Sequence, residues 1–422
     1  MSIFSLNCKK SGVMNRLFKI LILFFFLLGI DAFAQGDSLR YAVRGTVRDS
    51  ETGRPLSDVG VSIPGTRYAT VTNQEGAFVI KSDTRPATVA FSLLGYRSMT
   101  GPVPEDLKTP MHVRLTKGSY MLEAARVYSG DPMSLLLKAI DLIPENCPSE
   151  PELFDCFYRE TVQKRQRFIY ISEAVTKMYK NSFRKGGWRD KAAIVKSRIL
   201  TSPRSSDTLG VKVVGGPVMA VELDLVKNRQ FILSPAELTQ YRLELLPPEF
   251  LDERMQFVIR LTPAVERPYA LHFGKIYLDQ ETLSFTRIEL NLDISNPVKA
   301  TEAMLVRKPV GIRFKPKEMS LLLHYRTEEG KTRLAYQRTV FRFNCDWRRK
   351  LFATEFTAVA EMVVTNRHQT GSAEPILRNE AFKSSESLAD KAYFYDDSDF
   401  WKDYNIIEPT ESLEHAISRL KK

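Results

Sequence analysis

Histidine is scarce in this chain: five residues, His112, His272, His324, His368 and His415, in 422, and none has a glutamate three positions on. A zinc peptidase needs three protein ligands and one open position, and that ligand spacing is missing here. His272 and His324 stand in strand-like alternation, where a hydrogen-bonded structural role is the expectation. No Gly-x-Ser-x-Gly elbow occurs, and no glycine-rich loop stands after a strand to cradle phosphate. These absences give the expectation of a protein that is not an enzyme, with no catalytic residue, metal or cofactor.

Cysteine is sparse too, with four residues. Cys8 lies before an apolar run, which leaves Cys147, Cys156 and Cys345, an odd number. Cys147 and Cys156 flank a bend at Pro148 and Pro151, close enough in sequence either to bridge or to remain two buried thiols. Nothing in their spacing suggests zinc. Long hydrophobic runs are also lacking: the run from Ile20 to Ile30 is shorter than the roughly 20 residues a membrane helix needs. It comes after Lys9, Lys10, Arg16 and Lys19 and ends at Ala32-Phe33-Ala34, so residues 1–34 read as a secretory signal peptide cut between Ala34 and Gln35. No cysteine stands after that cut to carry a lipid. Losing four cations and one acid with the leader takes the formal charge of +11 down to +8. The remaining Lys and Arg alternate with Glu and Asp, so they read as solvated strand faces; no nucleic-acid partner is expected, and a peripheral contact with anionic lipid head groups or glycans is the alternative.

The residues that are present favour strands. Val43 to Asp49, a turn at Thr52-Gly53 with Pro55-Leu56, and Val59 to Ile63 alternate apolar and polar positions. Ala69 to Ile80 places Asn73 and Gly76 between two β-prone runs, and Val89 to Leu93 leads into Gly95-Tyr96. Turns at this spacing point to a small β-sandwich. The ordered set Gly45, Asp49, Thr52-Gly53, Pro55-Leu56, Val59, Val61, Gly65-Thr66, Thr70, Thr72-Asn73, Gly76, Phe78 and Leu93-Leu94-Gly95-Tyr96 resembles the carboxypeptidase-regulatory-like domain. That is a transthyretin-like sandwich common in envelope proteins of Bacteroidota. The resemblance implies a seven-stranded type of sandwich over residues 41–116 and is nearly silent on activity.

Residues 117–144 read as a connector: a strand at Tyr120 to Val127, then a helix capped by Asp131 with Pro132 at its first position and Met133, Leu136, Leu137, Ile140 and Ile143 at helical spacing. The chain beyond it is too short for the barrel of a TonB-dependent receptor. Residues 150–422 read as one β-rich domain. A hairpin is expected from Gly274 to Leu278 and from Leu283 to Ile294 around Asp279 to Thr282, with Glu289, Asn291 and Asp293 on its wet face. Two more strands, Met319 to Tyr325 and Arg333 to Phe343, flank a turn at Glu328 to Lys331. Asp396, Asp397 and Asp399 read as a solvated turn rather than a calcium loop. The aromatics Phe394, Tyr395, Phe400, Trp401 and Tyr404 are expected to bury a terminal segment, and a helix from Pro409 to bury Leu413, Ile417 and Leu420.

The Phe157-Tyr158-Arg159-Glu160 start, the Gly274 hairpin and the ending Asp399 to Ile407 resemble Bacteroidota envelope proteins carrying the same first domain. Their second domain is similar to the half-barrel of periplasmic lipoprotein carriers. The fold expected is therefore mainly β: a sandwich, then a larger antiparallel curved sheet or half-barrel with a few helices. The helices expected are too few to cover that sheet. An apolar groove lined by Ile276, Leu278, Ile288, Leu290 and Leu292 is therefore expected, able to hold a lipid-like ligand or an envelope protein. The protein is expected to be exported to the periplasm or associated with the outer membrane, and a hydrolase of peptide or glycan and a purely structural scaffold are the alternatives.

Overall fold

The computed structural model describes residues 39–118, 130–185, 190–207, 212–213, 216–307, 310–347, 353–368, 373–383 and 401–420. The Ala34–Gln35 cut, the strand expected at 120–127, the Asp396, Asp397 and Asp399 cluster, and Phe394, Tyr395 and Phe400 lie outside them.

Seven strands build the first unit: β1 (Tyr41–Asp49), β2 (Gly60–Ser62), β3 (Ala69–Val71), β4 (Ala77–Ser82), β5 (Thr88–Ser92), β6 (Met99–Pro102) and β7 (Met111–Leu115). A three-stranded sheet ordered β4-β1-β7 faces a four-stranded sheet ordered β3-β2-β5-β6. Alternation along β1 sends Val43 and Val47 into the shared core, where Phe78 and Phe91 meet edge to face at 5.4 Å across the two sheets. The polar residues of the sequence motif are used up in turns. The Asp49 carboxylate accepts from the Glu51 and Thr52 amides and from the Tyr96 hydroxyl at 2.7 Å, and these donors hold it well below the usual carboxylate range. Gly76 sits at φ +74°, where a Cβ would stand 2.4 Å from the Val47 carbonyl oxygen.

The second unit is a ten-stranded antiparallel sheet that does not close. Its strands are β8 (Glu152–Lys164), β9 (Arg167–Lys180), β10 (Lys191–Thr201), β12 (Tyr241–Leu251), β13 (Arg254–Pro263), β14 (His272–Asp279), β15 (Phe285–Leu292), β17 (Ile312–Glu328), β18 (Lys331–Trp347) and β19 (Glu355–Arg367), in the order β10-β9-β8-β19-β18-β17-β15-β14-β13-β12. A short pair, β11 (Lys212–Val213) with β16 (Leu305–Arg307), stands apart. The expected hairpins are present in register, Ile276 opposite Ile288 and Glu328 opposite Lys331. β17 and β18 run several residues beyond the apolar stretches that announced them, because ladder hydrogen bonds continue through Arg313, Lys315 and Arg342 once the neighbouring strands are in place.

The inner face is covered by α1 (Pro132–Asp141), α2 (Ile143–Asn146), α3 (Pro217–Glu222), α4 (Pro235–Leu238) and the chain linking the last two. Asp131 caps α1 through the Ser134 amide at 3.1 Å, and Leu135, Leu136, Ala139 and Ile140 face the sheet. Further along the same face α5 (Pro297–Met304) packs Ala300 and Met304 against Phe341 and Phe343. Part of the outer face is covered by the sandwich and by a C-terminal strap ending in α6 (Glu411–Leu420). Val71 of β3 joins Phe157, Val175, Leu322, Tyr336, Val363 and Trp401 in one cluster. The strap is held on both sides: the Lys81 ammonium donates to the carbonyls of Trp401 at 2.6 Å and Tyr404 at 2.8 Å, and Arg159 donates to the Ile407 carbonyl at 2.7 Å. Leu413 and Ile417 of α6 close over Ile171, as the sequence pattern implies.

Candidate functional site

The five residues expected to line a groove are all buried, none more than 3% exposed. Ile276, Leu278, Ile288 and Leu290 pack with Leu135, Leu136, Val226 and Leu233, and Leu292 packs beside Ala300. The expected open groove is a filled core. Residues 217–241 supply the missing cover, and they carry no helical period by which the sequence could announce it. Buried polar contacts pin that cover to the sheet. Asp224 accepts from Lys180 and from the Tyr325 hydroxyl at 3.0 Å, and Lys227 donates to Asp190 at 2.7 Å.

The thiols resolve in the same way. Cys147, Cys156 and Cys345 are buried thiols joined in no disulfide, so the bridge between Cys147 and Cys156 is not formed; each belongs to an apolar cluster of the sheet. Burial pushes the Cys147 thiol up to about 12, and Cys156 higher still, which makes both poor nucleophiles. Burial holds His272 down at about 4, and burial with the neighbouring Arg287 and Arg338 cations pushes His324 well below the ordinary range. Among the described residues no three His, Cys, Asp or Glu side chains converge on a point that could hold a metal. No helix among them is long and apolar enough to cross a membrane.

An open site lies on the opposite face of the hairpin. Residues 260, 262, 273, 275, 289 and 291 alternate with core residues, and at the end of β13, β14 and β15 they form a cavity of about 490 Å³ whose lining includes Arg260, Phe273, Lys275, Glu289, Asn291 and Asp293. A second cavity of about 360 Å³ shares Pro263 and Asp293 with it and adds Glu266, Arg267, Tyr269, Asn296 and Lys299. Both fall in the size range of small-molecule sites. The strand register sets Phe273 opposite Asn291, with Lys275 between Arg260 and Glu289 in the next row. Phe273 is 43% exposed and Tyr269 49%. Tyr269 is nonetheless held: its hydroxyl donates to Gln240 Oε1 at 3.3 Å, the oxygen that also accepts from Arg267 at 3.1 Å. Cations and carboxylates nearly balance, and Arg260 pairs with Glu244 at 3.0 Å and Lys299 with Glu266 at 2.9 Å.

Sequence reading found the wet side of this hairpin, Glu289, Asn291 and Asp293, and missed the aromatics. Phe273 has the parity of Lys275 and not of Ile276, so a large apolar residue on the polar face was the legible signal. Tyr269 stands in an irregular loop that carried none.

Comparison with known proteins bears on the first unit. Residues 43–127 match the CarboxypepD_reg-like domain. In that CarboxypepD_reg-like domain Asp49, Gly76 and Tyr96 act as turn-forming residues, so the match accounts for the fold of the sandwich and places no chemistry in it. No curated protein matches the chain. Among solved structures, a DUF1329 family protein from Desulfovibrio piger is similar at 11% identity over 58% of this chain and 96% of its own, with a TM-score of 0.28. A LolA superfamily protein from Nitrosomonas europaea is similar at 13% identity over 56% and 94%, with a TM-score of 0.21. Lipovitellin is similar at 7% identity over 60% and 28%, with a TM-score of 0.26. At such identities and TM-scores these matches carry no argument about the second unit.

Proposed function

We propose that this is a non-catalytic, exported cell-envelope protein that binds its ligand or partner on the outer face of the ten-stranded sheet, at the β13-β14-β15 cavities. The observation that supports this reading is the division of that face. One part is sealed by the sandwich and the strap, while the end bearing Phe273 and Tyr269 stays open with two adjoining cavities. The sandwich serves as a brace: besides gripping the strap, the Gly95 amide donates to the Phe250 carbonyl at 2.7 Å, tying it to the β12-β13 hairpin. Export rests on the leader pattern before Gln35, and the absence of catalysis on the missing ligand and nucleophile motifs, together with the lowered basicity of His272 and His324 and the burial of the three thiols.

A second reading places a lipid-like chain on the inner face. It is supported by Ser172, Ser197 and Gln337, whose buried side-chain oxygens have no hydrogen-bond partner among the described residues of that face, under a largely irregular cover. One preparation tests both. The full chain should co-sediment with isolated envelopes of the source organism, and Asn291→Arg, which fills the outer cavity, should abolish this without lowering Tm. Equal sedimentation of the two proteins, or of neither, overturns the outer-face reading. Recovery of a stoichiometric lipid on organic extraction would instead move the binding site to the inner face.

A further inference from the structure

Resting on that outer-face reading, we infer that the ligand is a neutral oligosaccharide whose pyranose rings stack on Phe273 and Tyr269. The shape and charge of the site exclude other classes in turn. An anionic polymer needs a cationic track, but the two cavities set Arg260, Lys275, Arg267 and Lys299 against Glu289, Asp293 and Glu266. That near balance gives no net attraction to phosphate or to an anionic membrane. A peptide adding as an extra strand needs a free sheet edge. Edge strand β12 carries Pro247 and Pro248 at a register shift, and edge strand β10 gives the Ala192 carbonyl to the Phe382 amide.

Sugars suit the remaining features. The face of a pyranose presents weakly positive C–H groups, which match the negative face of an aromatic ring. Its equatorial hydroxyls both donate and accept, and need a mixed set of amide, carboxylate and guanidinium groups around that ring. Phe273 has this surrounding: Asn291 opposite it, Lys275 two residues along its strand, and Arg260 and Glu289 flanking Lys275. Asn291 sits where its side-chain amide can both donate and accept. The second cavity offers Tyr269, its ring anchored by the bond to Gln240, beside Arg267 and Asn296, whose Oδ1 caps α5 and whose side-chain contribution to a ligand is therefore as a donor. Two adjoining lobes, each with one exposed aromatic, imply at least two sugar units. The anchored Tyr269 ring loses little freedom on binding, which favours a measurable affinity from few contacts.

The experiment uses the full chain against an array of neutral oligosaccharides and polysaccharide released from source envelopes, with calorimetry on the hits. The expected result is binding to one linkage class, weakened about tenfold by Phe273→Ala, as loss of a stacking face implies, and by a similar factor in Asn291→Ala. Tyr269→Ala should weaken longer oligomers more than disaccharides. No binding to any glycan, or binding unchanged in both Phe273→Ala and Asn291→Ala, overturns the inference. Envelope sedimentation that Asn291→Arg abolishes but released polysaccharide fails to compete would sink the oligosaccharide and leave the outer-face reading standing.

Discussion

Tyr336 illustrates how much a single buried hydroxyl can decide. Its oxygen lies 3.0 Å from an Asp58 carboxylate oxygen of the sandwich and 2.9 Å from a Glu361 oxygen of β19. A phenol has one proton to donate, so two ionised carboxylates cannot both be satisfied by it. Burial, with the nearby Asp58 charge adding to it, pushes the Glu361 carboxyl above its ordinary value against the pull of Arg159 and Arg338. The folded state then holds a proton that the unfolded chain has released, so this group's contribution is complete below about pH 4.5 and is lost as pH rises through the raised value. Glu361→Gln keeps a hydrogen-bonding group beside Tyr336 and cannot titrate. Stability measured by urea from pH 4 to 8 should show the wild type losing ground to this variant as pH rises, and a flat difference would refute the shared-proton arrangement.

At the scale of elements, the decisive piece is the segment from α3 to α4, which converts an amphipathic sheet face into a core. Its apolar residues Leu225, Val226, Ile232 and Leu233 would not hold an irregular path by propensity, and the buried Asp224 fixes where it lands. Removing one partner of a buried ion pair strands the other, at a cost of about 3–5 kcal/mol. Asp224→Ala should therefore destabilise the chain by about that amount, since it leaves the buried Lys180 ammonium without its carboxylate and the Tyr325 O–H without an acceptor. A loss under about 1 kcal/mol in chemical denaturation would mean that water reaches this pair and that the cover is looser than its packing implies.

Across the whole molecule, the strap makes one body of two units that are distant in sequence. Thr70 donates to the Ile406 carbonyl at 2.9 Å across 336 positions, and Asn405 exchanges two bonds with the Lys81 backbone. Burial, with the Arg44 cation adding to it, pulls the Lys81 amine down to about 8 against the pull of the Glu408 and Asp403 carboxylates, so it is still mostly protonated at neutral pH and donates to three strap carbonyls. Lys81→Ala removes the charge-assisted bonds, each contributing about 1.5–3 kcal/mol. Limited proteolysis of this variant should cut between residues 401 and 411 much faster than in the wild type, while the sandwich core around Phe78 and Phe91 stays resistant. Unchanged cutting would show that apolar contacts of Trp401 and Ile407 suffice to hold the strap.

Local signals carried the parts of this architecture that the sequence determined by itself. Strand alternation, Gly76 and Gly53 in turns, the Asp131 cap and the heptad-like spacing of Leu413, Ile417 and Leu420 each involve residues within a turn or two of one another, where backbone geometry and side-chain period act directly. The sandwich, the Gly274 hairpin and both amphipathic helices were legible for that reason. Only the tertiary structure decided what covers each sheet face, because Val226 over Ile288 or Val71 over Tyr336 depends on contacts closed across tens to hundreds of residues, and burial does not record which partner it came from. The same limit hid the candidate site. Phe273 and Tyr269 gain their meaning from being left uncovered, a property set by where the strap and sandwich end and not by any residue near them.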